Sequence, residues 1–163
     1  MESKRTNYLK TFLLGFGFFG VSVIWSVYNA FVPLILDQRF GLGAGFISFI
    51  MVLDNIAALL IQPPLGVFSD RLRSPIGRRL PFIVLGAPVA AAMFGIIPAA
   101  HTLPLFIFSC ITLLLAMAFW RTPVVALMPD ITPSGSRSQA NGVITLMGGL
   151  GTVLATLVGG TLY

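Results

Sequence analysis

The chain has 163 residues, of which 56% are hydrophobic and 9% charged, and its mean hydropathy is +0.95. This composition excludes an ordinary soluble domain, in which about a quarter of the residues are charged, and indicates an integral membrane protein. The net charge of +5 does not indicate nucleic-acid binding, because the basic residues lie in short segments between long apolar stretches.

Five stretches are long and apolar enough to cross a bilayer as helices, which requires about 20 mostly apolar residues. A transmembrane barrel is not predicted, because its strands would be about 10 residues long and would alternate in polarity. The predicted fold class is therefore an all-α polytopic membrane protein, with spans over residues 11–36, 45–69, 81–100, 104–128 and 139–163.

Basic residues predict the orientation of these spans, because lysine and arginine collect in short cytoplasmic loops. Their numbers before the first span and after the first four are three, one, four, none and one. The two segments on the other side hold little charge beyond Asp37, Arg39 and His101. The N-terminus and the loop between the second and third spans are therefore expected to be cytoplasmic, in a multi-pass protein of the cell membrane.

The first span carries polar and aromatic side chains at helical spacing. Trp25, Tyr28, Asn29 and Val32 follow at i, i+3, i+4 and i+7, which predicts one face bearing an indole, a phenol and an amide. Such a face suits a sugar, and Tyr28 and Asn29 are candidate residues of a substrate cavity. Interfacial anchoring or helix packing by the aromatic rings is the alternative.

The second span contains one carboxylate, Asp54, about 14 Å from its nearer end. An ionisable group inside a membrane is costly and indicates function, so Asp54 is a candidate coupling-ion site. An apolar surrounding favours its protonated form, which would let it bind and release a proton. Asn55 lies beside it and Gln62 two turns further on, and Gln62 is a second cavity candidate. A purely structural pairing of Asp54 with a neighbouring helix is the alternative.

The loop between the second and third spans reads GVFSDRLRSPIGRRLP from Gly66 to Pro81. Pro75 and Gly77 interrupt the helix, and Pro81 suits the first turn of the next one. Its charges could act as a conformational latch or could only fix the topology. The candidate latch residues are Gly66, Asp70, Arg71, Gly77, Arg78 and Arg79.

The fourth and fifth spans add three features. Arg121 lies about 10 Å from the cytoplasmic end of the fourth span and is either a cavity residue or an interfacial anchor. Asp130 and Arg137 mark the following cytoplasmic loop. The fifth span contains glycines that predict one face for close helix packing, at positions 142, 148, 149, 151, 159 and 160.

The latch residues resemble the loop signature of the major facilitator superfamily, G-x-x-x-D-R/K-x-G-R-R/K, with about four extra residues between Asp70 and Gly77. The longer loop and the stretch ALMPDITPSGSRSQANG, residues 126–142, resemble the sucrose-proton and glycoside-pentoside-hexuronide cation symporters. The resemblance implies most of the N-terminal six-helix half of a carrier that moves a sugar with a proton by alternating access. It also implies that Asp70 meets a helix N-terminus of the C-terminal half, which this chain lacks and transport needs.

Other readings stay open: a sodium-coupled symporter, a drug antiporter of the same superfamily, or a nonfunctional truncated product, since Tyr163 ends the chain within apolar sequence. An enzyme is not predicted, because the chain has no H-E-x-x-H or G-x-S-x-G motif and only one His and one Cys. The expected partners are the lipid bilayer, a small solute, and a proton or sodium ion, with no nucleic acid, metal or cofactor.

Overall fold

The computed structural model describes residues 8–72, 74–75 and 77–162. Within these ranges, the side chains at positions 8–10, 54, 57, 131, 134 and 162 are outside the description. Arg73, whose charge belongs to the predicted loop, and the side chain of Asp54 therefore lie outside the described part of the chain.

The described residues form five long helices and no strand, which confirms the predicted all-α membrane fold. All five are long and apolar enough to cross a bilayer. The helices are α1 (Tyr8–Gln38), α2 (Ala44–Arg71), α3 (Leu80–Ala99), α4 (Leu103–Ile131) and α5 (Arg137–Leu162), and a short 3-10 turn over Ser134–Ser136 precedes α5.

Glycines with a positive φ lie in two of the turns between helices. Gly41, after α1, has a φ of 63° and its amide bonds to the carbonyl of Asp37 at 2.9 Å, which ends the helix. Gly77, before α3, has a φ of 106°, a conformation that L side chains rarely adopt. Pro81 lies in the first turn of α3, as the sequence predicts.

The chain divides into two compact units, one formed by residues up to Ala30 and from Val124 onward, the other by Phe31–Pro123. In the first unit α1 and α5 pack closely. A Cβ atom added at Gly151 would lie 2.7 Å from the carbonyl oxygen of Phe19, and one added at Gly148 would lie 3.1 Å from the Ser22 hydroxyl. These two glycines let α5 approach the backbone of α1.

The prediction of a single glycine face on α5 is wrong in part. A Cβ atom at Gly142, Gly149 or Gly160 would meet nothing within 4 Å. Consecutive helical residues such as positions 148 and 149 are turned about 100° from each other, so both cannot face α1. The packing face of α5 is instead completed by buried apolar residues, namely Ala140, Ile144, Met147 and Ala155.

In the second unit α3 and α4 pack closely at Gly86. A Cβ atom added at Gly86 would lie 2.9 Å from Cβ of Trp120 and 3.2 Å from the carbonyl oxygen of Ala116. Phe82 of α3 lies between Phe68 of α2 and Phe119 of α4, with ring centroids 6.0 and 6.5 Å away. These contacts fix α2, α3 and α4 side by side.

Candidate functional site

The polar residues predicted on α2 and α4 lie on neighbouring parts of the two helices. A Cβ atom added at Gly66 would be 3.7 Å from Cγ2 of Thr122, so this face of α2 meets α4. Gln62 lies one turn before Gly66 on the same face. Arg121 precedes Thr122, and both Gln62 and Arg121 are half-buried. Gln62 therefore lies about one turn, and Arg121 one residue, from this contact between α2 and α4.

The sequence analysis missed Thr122. Among the described side chains, its hydroxyl is buried and makes no hydrogen bond. Burial of a hydroxyl without a partner costs about 1–3 kcal/mol, which marks a position that a polar group would stabilise. The only sequence signal that could have found this residue is its position beside Arg121. A threonine within a membrane helix ordinarily bonds to its own backbone, so the sequence alone does not show that this hydroxyl has no partner.

Asp54 lies within α2, and its side chain is outside the described part of the structure. Its neighbour Asn55 is exposed and donates its amide to the Met51 carbonyl at 3.1 Å. Asn55 and Gln62 are seven residues apart and therefore share a face of α2. Asn55 and Gln62 thus form a polar stripe along α2. The role of Asp54 as a coupling site stays a prediction.

The residues of the predicted aromatic stripe on α1 differ in how deeply they are buried. Tyr28 and Val32 are 2% and 1% exposed, whereas Asn29 is exposed and donates its amide to the Trp25 carbonyl at 2.8 Å. The rings of Trp25 and Tyr28 stack with centroids 6.1 Å apart. Asn29 is thus the accessible member of this stripe, while Tyr28 lies in the packed interior.

The loop between α2 and α3 is held by an ion pair between its two ends. Nη2 of Arg79 donates to Oδ1 of Asp70 at 2.9 Å; the Arg79 side chain is 8% exposed and that of Asp70 53%. Beside Asp70, the fully buried Ser69 donates its hydroxyl to the Gly66 carbonyl at 2.9 Å. Gly66, Asp70 and Arg79, predicted as latch residues, therefore belong to one connected structure.

The other charged residues near this loop are on the surface. Arg71 and Arg78 are exposed, and so are Asp130 and Arg137 of the segment between α4 and α5. Arg137 donates to the carbonyl of Pro129 at 3.5 Å, which is a long contact. These positions suit the headgroup region of a membrane, where arginine is stable.

At the opposite end of the second unit, the α1–α2 and α3–α4 turns are tied together. Arg39 donates to the Pro98 carbonyl at 2.9 Å through Nη1 and approaches Nδ1 of His101 at 2.8 Å through Nη2. Phe40 packs on the buried Phe106 with ring centroids 5.3 Å apart. In the sequence Arg39 and His101 are isolated polar residues of two separate loops, and only the fold brings them together.

No group of three or more His, Cys, Asp or Glu side chains that could hold a metal occurs among the described residues. The polar positions are instead single side chains distributed along apolar helices. Such an arrangement can orient a neutral polar solute by hydrogen bonds.

The sequence model of the Major Facilitator Superfamily matches residues 14–163. The chain belongs to this superfamily. The match covers most of α1, all of α2 to α5 and the loop with Asp70 and Arg79, which confirms the family resemblance that this loop indicates. No solved structure matches the chain.

Curated relatives are carriers of sugars by name. The general alpha-glucoside permease of Schizosaccharomyces pombe is 30% identical over 161 residues, and the sucrose transport protein SUC3 of Arabidopsis thaliana is 27% identical over 163 residues. Each alignment covers 86% of this chain, and 28% and 27% of the respective relative. The human proton-associated sugar transporter A is 28% identical over 157 residues, which cover 87% of this chain and 21% of the relative. The chain thus spans less than a third of the length of these relatives.

Proposed function

We propose that this chain is the N-terminal part of a secondary active transporter that moves a sugar or glycoside together with a proton by alternating access. The observation that carries the proposal is the similarity, over 86–87% of the chain, to carriers named for alpha-glucosides, sucrose and proton-associated sugar transport. A carrier that binds its solute through single side chains needs no cofactor, and this part of it is not an enzyme.

The cavity residues we propose are those that present polar groups on apolar helices. Asn29 of α1 is exposed, and Gln62 and Arg121 are half-buried. Amide and guanidinium groups bond to sugar hydroxyls, which offer both donors and acceptors. Tyr28 is buried against Trp25, so its proposed part in solute binding is to position that indole ring.

Asp54 is the proposed site of proton coupling. Of the two carboxylates in α2, Asp70 lies at the end of the helix and Asp54 lies within its apolar stretch, where an ionised group is costly. A carboxyl group that opens alternately to two solutions can accept a proton on one side and release it on the other. A sodium ion would instead require several oxygen ligands around this position.

The α2–α3 loop is the proposed conformational latch. Asp70 pairs with Arg79, yet its side chain is half exposed and can accept further hydrogen bonds. A helix N-terminus of the C-terminal half would favour an anion at this place and bias one conformation of the carrier. The arginines of this loop support a cytoplasmic position for this end, and the proposed topology puts the N-terminus on the same side of the cell membrane.

The test is uptake into liposomes that contain the full-length protein, with radiolabelled sucrose or an alpha-glucoside and an imposed proton gradient. We expect Asp54→Asn to abolish accumulation against the sugar gradient, because the amide cannot carry a proton, while sugar exchange at equal concentrations continues. Asp37→Asn is the matched control, since it removes an exposed carboxylate in the last turn of α1, away from the middle of a span, and should leave coupling intact.

Unchanged proton-driven accumulation in Asp54→Asn would contradict the coupling role. Accumulation driven by a sodium gradient and not by a proton gradient would replace the proton with sodium. Failure of the parent protein to exchange any of these sugars would contradict the proposed substrate class.

A further inference from the structure

We infer that the contact between Arg39 and His101 is a pH-sensitive clasp, closed when His101 is neutral and opened when it is protonated. The clasp consists of Arg39, His101 and the carbonyl of Pro98. It ties the turn between α1 and α2 to the turn between α3 and α4, and it does not depend on which solute the carrier moves.

The chemistry of the two side chains sets the proton requirement. Arginine has only donors, so in the 2.8 Å contact Nη2 of Arg39 donates and Nδ1 of His101 accepts. A histidine nitrogen accepts a hydrogen bond only in the neutral ring, with the proton on Nε2. Protonation of His101 therefore removes the acceptor and places two positive charges in contact.

The surroundings contain little that would compensate for this second positive charge. Among the described residues on the four helix ends at this contact, the other charged side chain is Asp37, two positions before Arg39. The start of α2, the end of α3 and the start of α4 contribute uncharged residues only. Imidazole is the kind of side chain that ordinarily changes charge between about pH 5 and 8, whereas a carboxyl group ordinarily does so at lower pH.

Opening should be local. The packing of Phe40 against Phe106 and the second bond from Arg39 to the Pro98 carbonyl at 2.9 Å do not depend on a proton. The two turns therefore remain neighbours, but their mean separation increases because the guanidinium group loses one of its two described hydrogen bonds. We expect the ratio of closed to open clasp to fall roughly threefold to tenfold, the range for loss of one exposed hydrogen bond.

The test measures the spacing of the two turns in the full-length protein reconstituted in lipid. Gly43 and Thr102 are exposed on either side of the clasp and would carry nitroxide labels after conversion to cysteine, with Cys110→Ala and any other native cysteine replaced. Dipolar broadening of the spectrum reports the short distance. We expect broadening to decrease as the pH falls from about 7.5 to about 5, across the imidazole range.

Two variants at one position separate protonation from other effects of acid. His101→Gln provides an acceptor oxygen at every pH and should keep the strong broadening at both values. His101→Leu provides none and should show weak broadening at both values. A decrease in His101→Gln equal to that of the parent, no decrease in the parent, or strong broadening in His101→Leu would each overturn the inference. The readout requires no transport, so it stands apart from the proposed function.

Discussion

Each end of the second unit is tied by an arginine, but the two arginines have different partners. Arg79 binds the carboxylate of Asp70 and is nearly buried, whereas Arg39 binds the imidazole of His101 at the surface. A carboxylate keeps its charge over the physiological range and an imidazole does not. The same cation therefore forms a contact that is independent of pH at one end of the unit and one that depends on pH at the other.

The largest expected effect comes from the packing that supports both ends. Gly86→Ala places a methyl group 2.9 Å from Cβ of Trp120 and 3.2 Å from its backbone nitrogen, so α3 and α4 must separate. We expect a loss of about 3 kcal/mol of stability, the upper range for overpacking. Thermal unfolding in detergent measures it, and amide exchange should quicken at both ends together.

Gly95→Ala on the same helix is the matched control, because a Cβ atom there meets nothing within 4 Å. It should leave stability unchanged or raise it slightly, since alanine is the better helix former. Equal destabilisation by the two variants would show that the α3–α4 contact does not hold the ends.

The second test breaks one end only. Asp70→Ala removes the carboxylate that pairs with the nearly buried Arg79, and we expect a cost of about 1.5 kcal/mol, the lower range for a hydrogen bond between charged groups because Asp70 is half exposed. Amide exchange should quicken in the α2–α3 loop and not around Arg39. The control Asp37→Ala removes an exposed carboxylate at the other end and should change neither the stability nor the amide exchange of the α2–α3 loop. If Asp70→Ala instead quickened exchange at both ends, the two ties would not be independent.

The smallest expected effect compares the glycine turns. Gly41 has a φ of 63°, within the left-handed region that asparagine tolerates, whereas Gly77 has a φ of 106° outside its centre. We expect Gly77→Asn to cost about 1 kcal/mol and Gly41→Asn less than half of that, measured by thermal unfolding. The reverse order would indicate that the turn at Gly41, not the one at Gly77, restricts its loop.

The sequence predicted the five helices and the loop with Asp70 and Arg79, because apolar length and charge placement are local properties. It did not predict that Arg39 and His101, which are 62 positions apart, would meet, because that pairing needs the packing of four helix ends. It also placed Tyr28 and Asn29 on one face, although burial separates them, since helical spacing alone does not locate the edge of a packed surface. The pattern of glycines in α5 likewise did not show which of them contact α1.

The close approach of α5 to α1 has a mechanical consequence. A Cβ atom at Gly151 would lie 2.7 Å from the carbonyl oxygen of Phe19, so at this point the main chain of α5 meets the main chain of α1 with no side chain between them. Two helices joined by side chains can slide as those side chains change conformation, but a main-chain seam resists sliding. Any movement of this part of the protein should therefore carry these segments of α1 and α5 as one rigid body, with bending left to the segments beyond the seam.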